Sequence, residues 1–209
     1  MRSKLLVESW KNFIKESQEE ISDKEYFEGQ YDFGLVPMSA KPFHEGHMSL
    51  IRKASDECKQ VTVYVSTSDR KRKGEITIFG EDMQTIWETI IINYLPQNVS
   101  CIFGGSPVGN VYKKLEEASQ ANDETTYGIY TGLEDAKRYS SKYYASIVDR
   151  VYLRTMSRGE DTMAISGTLM RSYLSNASED KFLFLDGLPR EILDDDKEEI
   201  FNILFSRLN

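Results

Sequence analysis

Cysteine is scarce in this 209-residue chain. Cys58 and Cys101 are the only two, far apart and without a CxxC pair. That excludes a disulfide framework, argues against a zinc site, and fits a reduced intracellular protein with free thiols. Long apolar runs are missing too, none approaching the ~18–20 residues of a membrane span. Residues 1–17 lack an extended apolar core followed by a small-residue cleavage site, so they do not read as a signal peptide. Positive charge is in the minority, 26 Lys and Arg against 34 Asp and Glu, for a net charge of −8. A general nucleic-acid binder needs a basic face, so that class is disfavoured, while a local basic pocket for a nucleotide is not. Histidine is as scarce as cysteine, and both copies fall in one tetrapeptide, His44-Glu45-Gly46-His47. What is present is ordinary for a globular protein: 40% hydrophobic and 29% charged residues, enough chain for one α/β domain with a proper core and extra helices at its ends.

Apolar spacing divides the chain. Residues 3–20 form an amphipathic pattern, with Leu6, Trp10, Phe13 and Ile14 on one helical face, and residues 21–30 are a polar connection. From residue 31, strand and helix patterns alternate. Strands are expected at 33–38, 61–65, 99–103, 127–130 and 147–154. Helices are expected to 58, over 80–94 and 108–121, from near Glu134, and after Ser166. From Asp180 the tail is acidic and helical, with Ile200, Phe201, Leu204, Phe205 and Leu208 as its apolar stripe. Alternation of this kind predicts a Rossmann-like, doubly wound, five-stranded parallel sheet with helices on both faces. Ligands of such sheets bind beyond the carboxyl ends of the strands, where the topology switches.

The chemically suggestive loops all fall at those ends. The His44–His47 turn sits between a strand and a helix, where backbone N–H groups and the helix dipole favour a phosphate, and two imidazoles add donors. Ser166-Gly167-Thr168-Leu169-Met170-Arg171 is a second turn entering a helix. Its hydroxyls and N–H groups form a cradle, and Arg171 supplies a permanent charge one turn in. Lys41 places another cation beside the histidines. Arg70-Lys71-Arg72-Lys73 is a run of four cations in an acidic protein, preceded by Ser68 and Asp69. It suggests a clamp for an anionic acceptor. Gly132 and Asp135 follow the fourth expected strand. No histidine, cysteine or carboxylate spacing marks a metal cage.

His44-Glu45-Gly46-His47 and Ile165-Ser166-Gly167-Thr168-Leu169-Met170-Arg171 together resemble the HxGH and ISSTxxR marks of the nucleotidylyltransferase superfamily of adenylyl- and cytidylyltransferases. The likeness covers roughly residues 31–175. The run from Val36 to Ser55 also looks like the corresponding stretch of pantothenate synthetases. The whole chain is similar to nucleotidyltransferase-like proteins of tailed bacteriophages. The resemblance implies a domain over 31–178, preceded by the helix and linker at 1–30 and followed by a helical tail at 179–209 that packs on it. It implies transfer of AMP, or CMP, from ATP, or CTP, with Mg²⁺, to a small anionic acceptor, releasing pyrophosphate. His44, His47 and Arg171 would be catalytic. Met38, Ser39, Lys41, Gly46, Gly132, Asp135, Ser166, Gly167 and Thr168 would bind the nucleotide, and Ser68, Asp69, Arg70 and Arg72 the acceptor. The Thr-x-x-Arg ending resembles adenylyltransferases more than cytidylyltransferases. The alternatives are a catalytically weak nucleotide-binding or phage assembly module, and a pantothenate-synthetase-like ligase working through an adenylate. The expected location is the cytoplasm, or the host cytoplasm or virion for a phage protein. The terminal helices are the expected surface for a second copy or a partner protein. Two departures stand out: Met38-Ser39-Ala40 fills positions where the adenylyltransferases have a glycine, and Gly167 replaces the second serine of Ser-Ser-Thr.

Overall fold

Alternate residues of the strands enter opposite cores. In β1 (Tyr31–Met38), Val36 and Met38 face one core and Leu35 the other. In β2 (Cys58–Val65), Val61, Val63 and Val65 oppose Tyr64, and in β4 (Tyr127–Gly132), Tyr130 opposes Tyr127 and Ile129. Side chains alternate with a period of two, so strands apolar on both sides must lie inside a sheet covered twice. With β3 (Val99–Phe103) and β5 (Val151–Met156), they form a sheet of order β3-β2-β1-β4-β5 in which every pair is parallel. This computed structural model describes residues 31–121, 124–140, 142, 144–157 and 165–208. The amphipathic pattern at 3–20 and the connection at 21–30 lie outside the described residues.

Among the described residues five helices cover one face. They are α1 (Glu45–Glu57), α2 (Gly80–Thr89), α4 (Gly167–Ser175), α5 (Ala177–Asp186) and α6 (Asp194–Ser206), contributing Met48, Ile51, Ile86, Trp87, Met170, Phe184 and Phe201 to one core. The other face is covered by α3 (Pro107–Gln120), through Val111 and Leu115, and by a 3-10 segment at Ala145–Arg150, through Ile147. The doubly wound α/β architecture expected from the sequence is the one observed. Strand order reverses between β1 and β4, which makes their carboxyl ends the switch point.

Several boundaries differ from the sequence reading. The expected strand at 147–154 begins only at Val151, the first residue paired with β4, opposite Tyr127. Ile147 is apolar because it plugs the α3-side core from a 3-10 turn, not because it lies in the sheet. The helix expected over 80–94 is α2 followed by a separate 3-10 turn at Ile91–Tyr94. Near Glu134 the chain forms a 3-10 segment, Leu133–Arg138, in place of an α-helix. The tail contains two helices, and α5 starts ahead of Asp180. Among the described residues no helix is long and apolar enough to cross a membrane.

Candidate active site

A cavity of about 630 Å³ opens over the switch point, lined by the ends of β1, β4 and β5 and by the loops that follow β2 and β3. Beyond Met38 the chain turns through Ala40, at φ +48°, and a cis Lys41–Pro42 bond, and enters α1 at His44, whose extended backbone begins the helix. Its carbonyl accepts the His47 N–H at 2.9 Å. The two imidazoles lie 3.8 Å apart, and Phe43 stacks on His47 from within the core. Gly46 permits this: a Cβ there would lie 3.2 Å from Cε1 and Nδ1 of His44. Burial first, and then the charge of His44, holds the His47 imidazole well below its ordinary value of 6.5. It is therefore neutral at physiological pH, and its Nδ1 is buried without a hydrogen-bond partner among the described residues.

Glu45, the variable position of the motif, faces away from the cavity. It accepts from Ser49 at 3.2 Å, Arg52 at 2.8 Å and the Arg190 N–H at 3.2 Å, while its own N–H donates to the Gly187 carbonyl at 3.0 Å. Glu45 thus ties the start of α1 to the loop after α5. Its role depends on Gly187 and Arg190, the latter 145 positions away, and only tertiary structure shows it.

Ser166 caps α4, its Oγ accepting the Leu169 N–H at 3.2 Å. Arg171, 4% exposed, folds back beneath the turn. It donates from Nη1 to the Lys41 carbonyl at 2.7 Å, from Nη2 to Thr168 Oγ1 at 3.0 Å, and from Nε to Glu75 Oε2 at 2.7 Å. A Cβ at position 167 would stand 3.1 Å from Nη1, so the glycine in place of serine gives the guanidinium its room. Lys41 is also buried, donating from Nζ to the Ser66 carbonyl at 2.5 Å. Burial pushes its pKa down to about 8, the charge of Arg70 adds to that, and Asp69 opposes it.

The loop after β2 forms a closed hairpin. Arg70 and Ile78 exchange backbone hydrogen bonds at 2.8 and 3.2 Å, and the tip turns at Gly74, φ +82°. Arg70 and Arg72 line the cavity; Ser68 and Asp69 do not. Asp69 instead caps α2, accepting the Gly80 N–H at 2.9 Å, and pairs with Lys71 at 3.1 Å. Gly80 is required there, because a Cβ would come within 1.7 Å of the Thr67 carbonyl oxygen. On the opposite rim, Gly132 and Asp135 line the cavity together with Arg138, which pairs with Asp135 at 3.0 Å. The Tyr112 hydroxyl holds this rim, donating to the Arg138 carbonyl at 2.5 Å and accepting the Ser140 N–H at 2.8 Å.

The cavity thus collects His44, Gly46, His47, Met38, Ser39, Lys41, Arg70, Arg72, Gly132, Asp135, Ser166, Gly167, Thr168 and Arg171. Lys41, Arg70, Arg72 and Arg171 converge on it, with Arg138 on the opposite rim, in an acidic protein, and the depressed Arg70 pKa, from burial and then from Arg72 and Arg171, reports the crowding. Sequence reasoning missed Glu75. The available signal was one carboxylate two residues beyond a four-cation run. Among the described residues no group of three or more His, Cys, Asp or Glu side chains could hold a metal ion.

Residues 33–78, which contain the histidine turn, match the family model of the citrate lyase ligase C-terminal domain. The fold is similar to that of a bifunctional NMN adenylyltransferase/ADP ribose pyrophosphatase from Francisella tularensis, at 14% identity and a TM-score of 0.50, over 86% of this chain and 54% of that one. What the chain shares with that protein is the fold, a parallel α/β sheet covered by helices. A second structure of the Francisella protein, complexed with AMP and a manganese ion, aligns at 14% identity over 86% of this chain and 53% of that one, with a TM-score of 0.46. The chain spans about half the length of these solved structures. No curated protein matches it by sequence.

Proposed function

We propose that the protein transfers a nucleotidyl group from a nucleoside triphosphate to a small anionic acceptor and releases pyrophosphate. The observation that carries this reading is the convergence of Lys41, Arg70, Arg72 and Arg171 with two helix-start turns and the His44–His47 imidazole pair around one cavity at the switch point. In the reaction an acceptor oxygen attacks the α-phosphorus. The new O–P bond forms as the bond to the β-bridging oxygen breaks, and pyrophosphate leaves with that oxygen. An ionised phosphate or carboxylate acceptor has no proton to surrender, so no general base is required. The work left to the protein is positioning and charge neutralisation. His44 and His47 donate hydrogen bonds to the α-phosphate as charge builds there. Ser166, Thr168 and Arg171 hold the β- and γ-phosphates, Lys41 neutralises the chain between them, and Gly132 and Asp135 meet the nucleoside. Arg70 and Arg72 face the acceptor. The donor set fits a Mg²⁺ ion carried in on triphosphate oxygens and water rather than one held by a protein cage; that ion would neutralise phosphate charge.

ATP is favoured over CTP by the resemblance of the Thr168-to-Arg171 ending to adenylyltransferases. Among acceptors, the citrate lyase ligase match favours a carboxylate, and with it the ligase variant of the chemistry. The expected result is pyrophosphate release from Mg²⁺ with ATP or CTP over a panel of phosphorylated and carboxylated acceptors, reduced ~10²–10³-fold in His47→Ala, as for loss of one transition-state donor. Equal silence of wild type and variant across the panel sinks the enzyme reading. A nucleotide-binding module without turnover is favoured by one observation, the engagement of every edge of Arg171 within the protein. Calorimetry showing nucleotide binding with no pyrophosphate release selects it.

A further inference from the structure

Arg171 is held more firmly than a ligand clamp requires. Two uncharged acceptors, the Lys41 carbonyl and the Thr168 hydroxyl, already fix its guanidinium. The third partner, Glu75, reaches the Nε position from the tip of the basic hairpin, 96 residues away in sequence. Nε and Nη2 form one edge of the guanidinium, the edge that a phosphate takes through two parallel hydrogen bonds. In this structure a carboxylate oxygen and a hydroxyl lie along that edge, at 2.7 and 3.0 Å. Glu75 is therefore placed as an anion on an anion site. Its side chain is 22% exposed against 4% for Arg171, so the carboxylate has a way out to solvent and the arginine does not.

The hairpin makes this more than a local ion pair. Its base is pinned by the Arg70–Ile78 bridge and by Asp69 on the α2 N-terminus. Its tip carries Glu75 beyond Gly74, and Arg70 and Arg72 line the same cavity. One short segment thus presents two cations to the cavity, while its one anion, outside the cavity lining, is bound to the arginine of the opposite turn.

Resting on the triphosphate reading of the site, we infer that Glu75 competes with the ligand phosphate for Arg171, so that phosphate entry exchanges one anion for another and releases the tip of the basic hairpin. The hairpin that faces the acceptor then responds to occupancy of the nucleotide side. Affinity for a phosphate ligand is lowered by the fraction of time that Arg171 is free. If Glu75 occupies it nine-tenths of the time, removing the carboxylate tightens binding about tenfold.

The test uses the full chain and inorganic pyrophosphate, titrated calorimetrically into wild type, Glu75→Gln and Glu75→Ala, with thermal melts to verify folding. The expected result is about tenfold tighter binding to both variants. If wild type binds and the variants bind equally or more weakly, Glu75 merely orients Arg171 and the inference falls while the function proposed above stands. If none of the three binds, that function and this inference fall together. A measurement without substitution is the Glu75 carboxyl ¹³C resonance in the wild-type chain. It moves on saturation with pyrophosphate if the carboxylate is displaced, and an unmoved resonance overturns the inference.

Discussion

Two turns face the cavity, and each begins a helix at the same rim, yet they manage charge in opposite ways. The His44 turn begins α1 without a side-chain cap, places two imidazoles 3.8 Å apart, and keeps His47 neutral by burial. The Ser166 turn spends its hydroxyl on its own helix and delivers charge through Arg171, a full turn further in. A neutral hydrogen-bond donor suits an atom whose charge grows only during reaction, whereas a permanent cation suits phosphates charged from the start. The difference separates a turn built for the transition state from one built for binding.

Substitution should break that comparison unevenly. The largest effect is expected from the His44 turn: His47→Ala lowers the rate of pyrophosphate release ~10²–10³-fold, or about 3–4 kcal/mol, while nucleotide affinity by calorimetry stays within a few-fold. Ser166→Ala removes a helix cap and costs about 1 kcal/mol of stability, read as a lower melting temperature, with a rate change well below that of His47→Ala. Equal loss of rate in both variants would erase the division of labour between the turns.

The pH dependence of stability sharpens the same contrast. Well above 6.5, His47 is neutral in both folded and unfolded chains and adds no pH dependence. As pH falls below 6.5, the unfolded chain takes up a proton that the folded chain refuses, so stability drops toward the folded-state pKa, by at most about 1.4 kcal/mol per pH unit. Urea unfolding at pH 7.5 and 5.5 should show a smaller loss in His47→Gln than in wild type. An identical loss would mean that His47 is not held neutral.

The two turns were legible in the sequence because each is a contiguous motif whose geometry is local. A glycine beside two histidines, and Ser-Gly-Thr before an apolar run, state their own conformations. The parallel, doubly covered sheet followed from the alternation of strand and helix patterns; its strand order did not. The illegible features are tertiary. Glu45 looks like a motif spacer until the loop at Gly187–Arg190 is folded against it. Asp69 looks like an acceptor ligand until α2 presents the Gly80 N–H. Ile147 looks like a strand residue because burial, which β-branched residues report, is common to sheet and 3-10 turn here, and the sheet pairing starts only at Val151.

The smallest expected effect concerns Ala40, which stands in the stretch where the adenylyltransferases carry glycine. Its φ of +48° lies in the left-handed region, at a cost of roughly 1–2 kcal/mol for a residue with a Cβ. Replacing it with glycine removes that cost. The substitution also adds roughly 0.5–1 kcal/mol of backbone entropy to the folding cost. Ala40 is 1% exposed, so its methyl group contributes about another 0.8 kcal/mol by burial. These contributions nearly cancel, and Ala40→Gly should change the unfolding free energy by less than ~1 kcal/mol. A gain of ~2 kcal/mol or more would show a strained turn held in place by its neighbours, with Lys41 and its carbonyl on Arg171 as the nearest restraint. In that case the departure from glycine would belong to the binding side of the comparison, because the strained turn would be what presents the Lys41 carbonyl to the arginine.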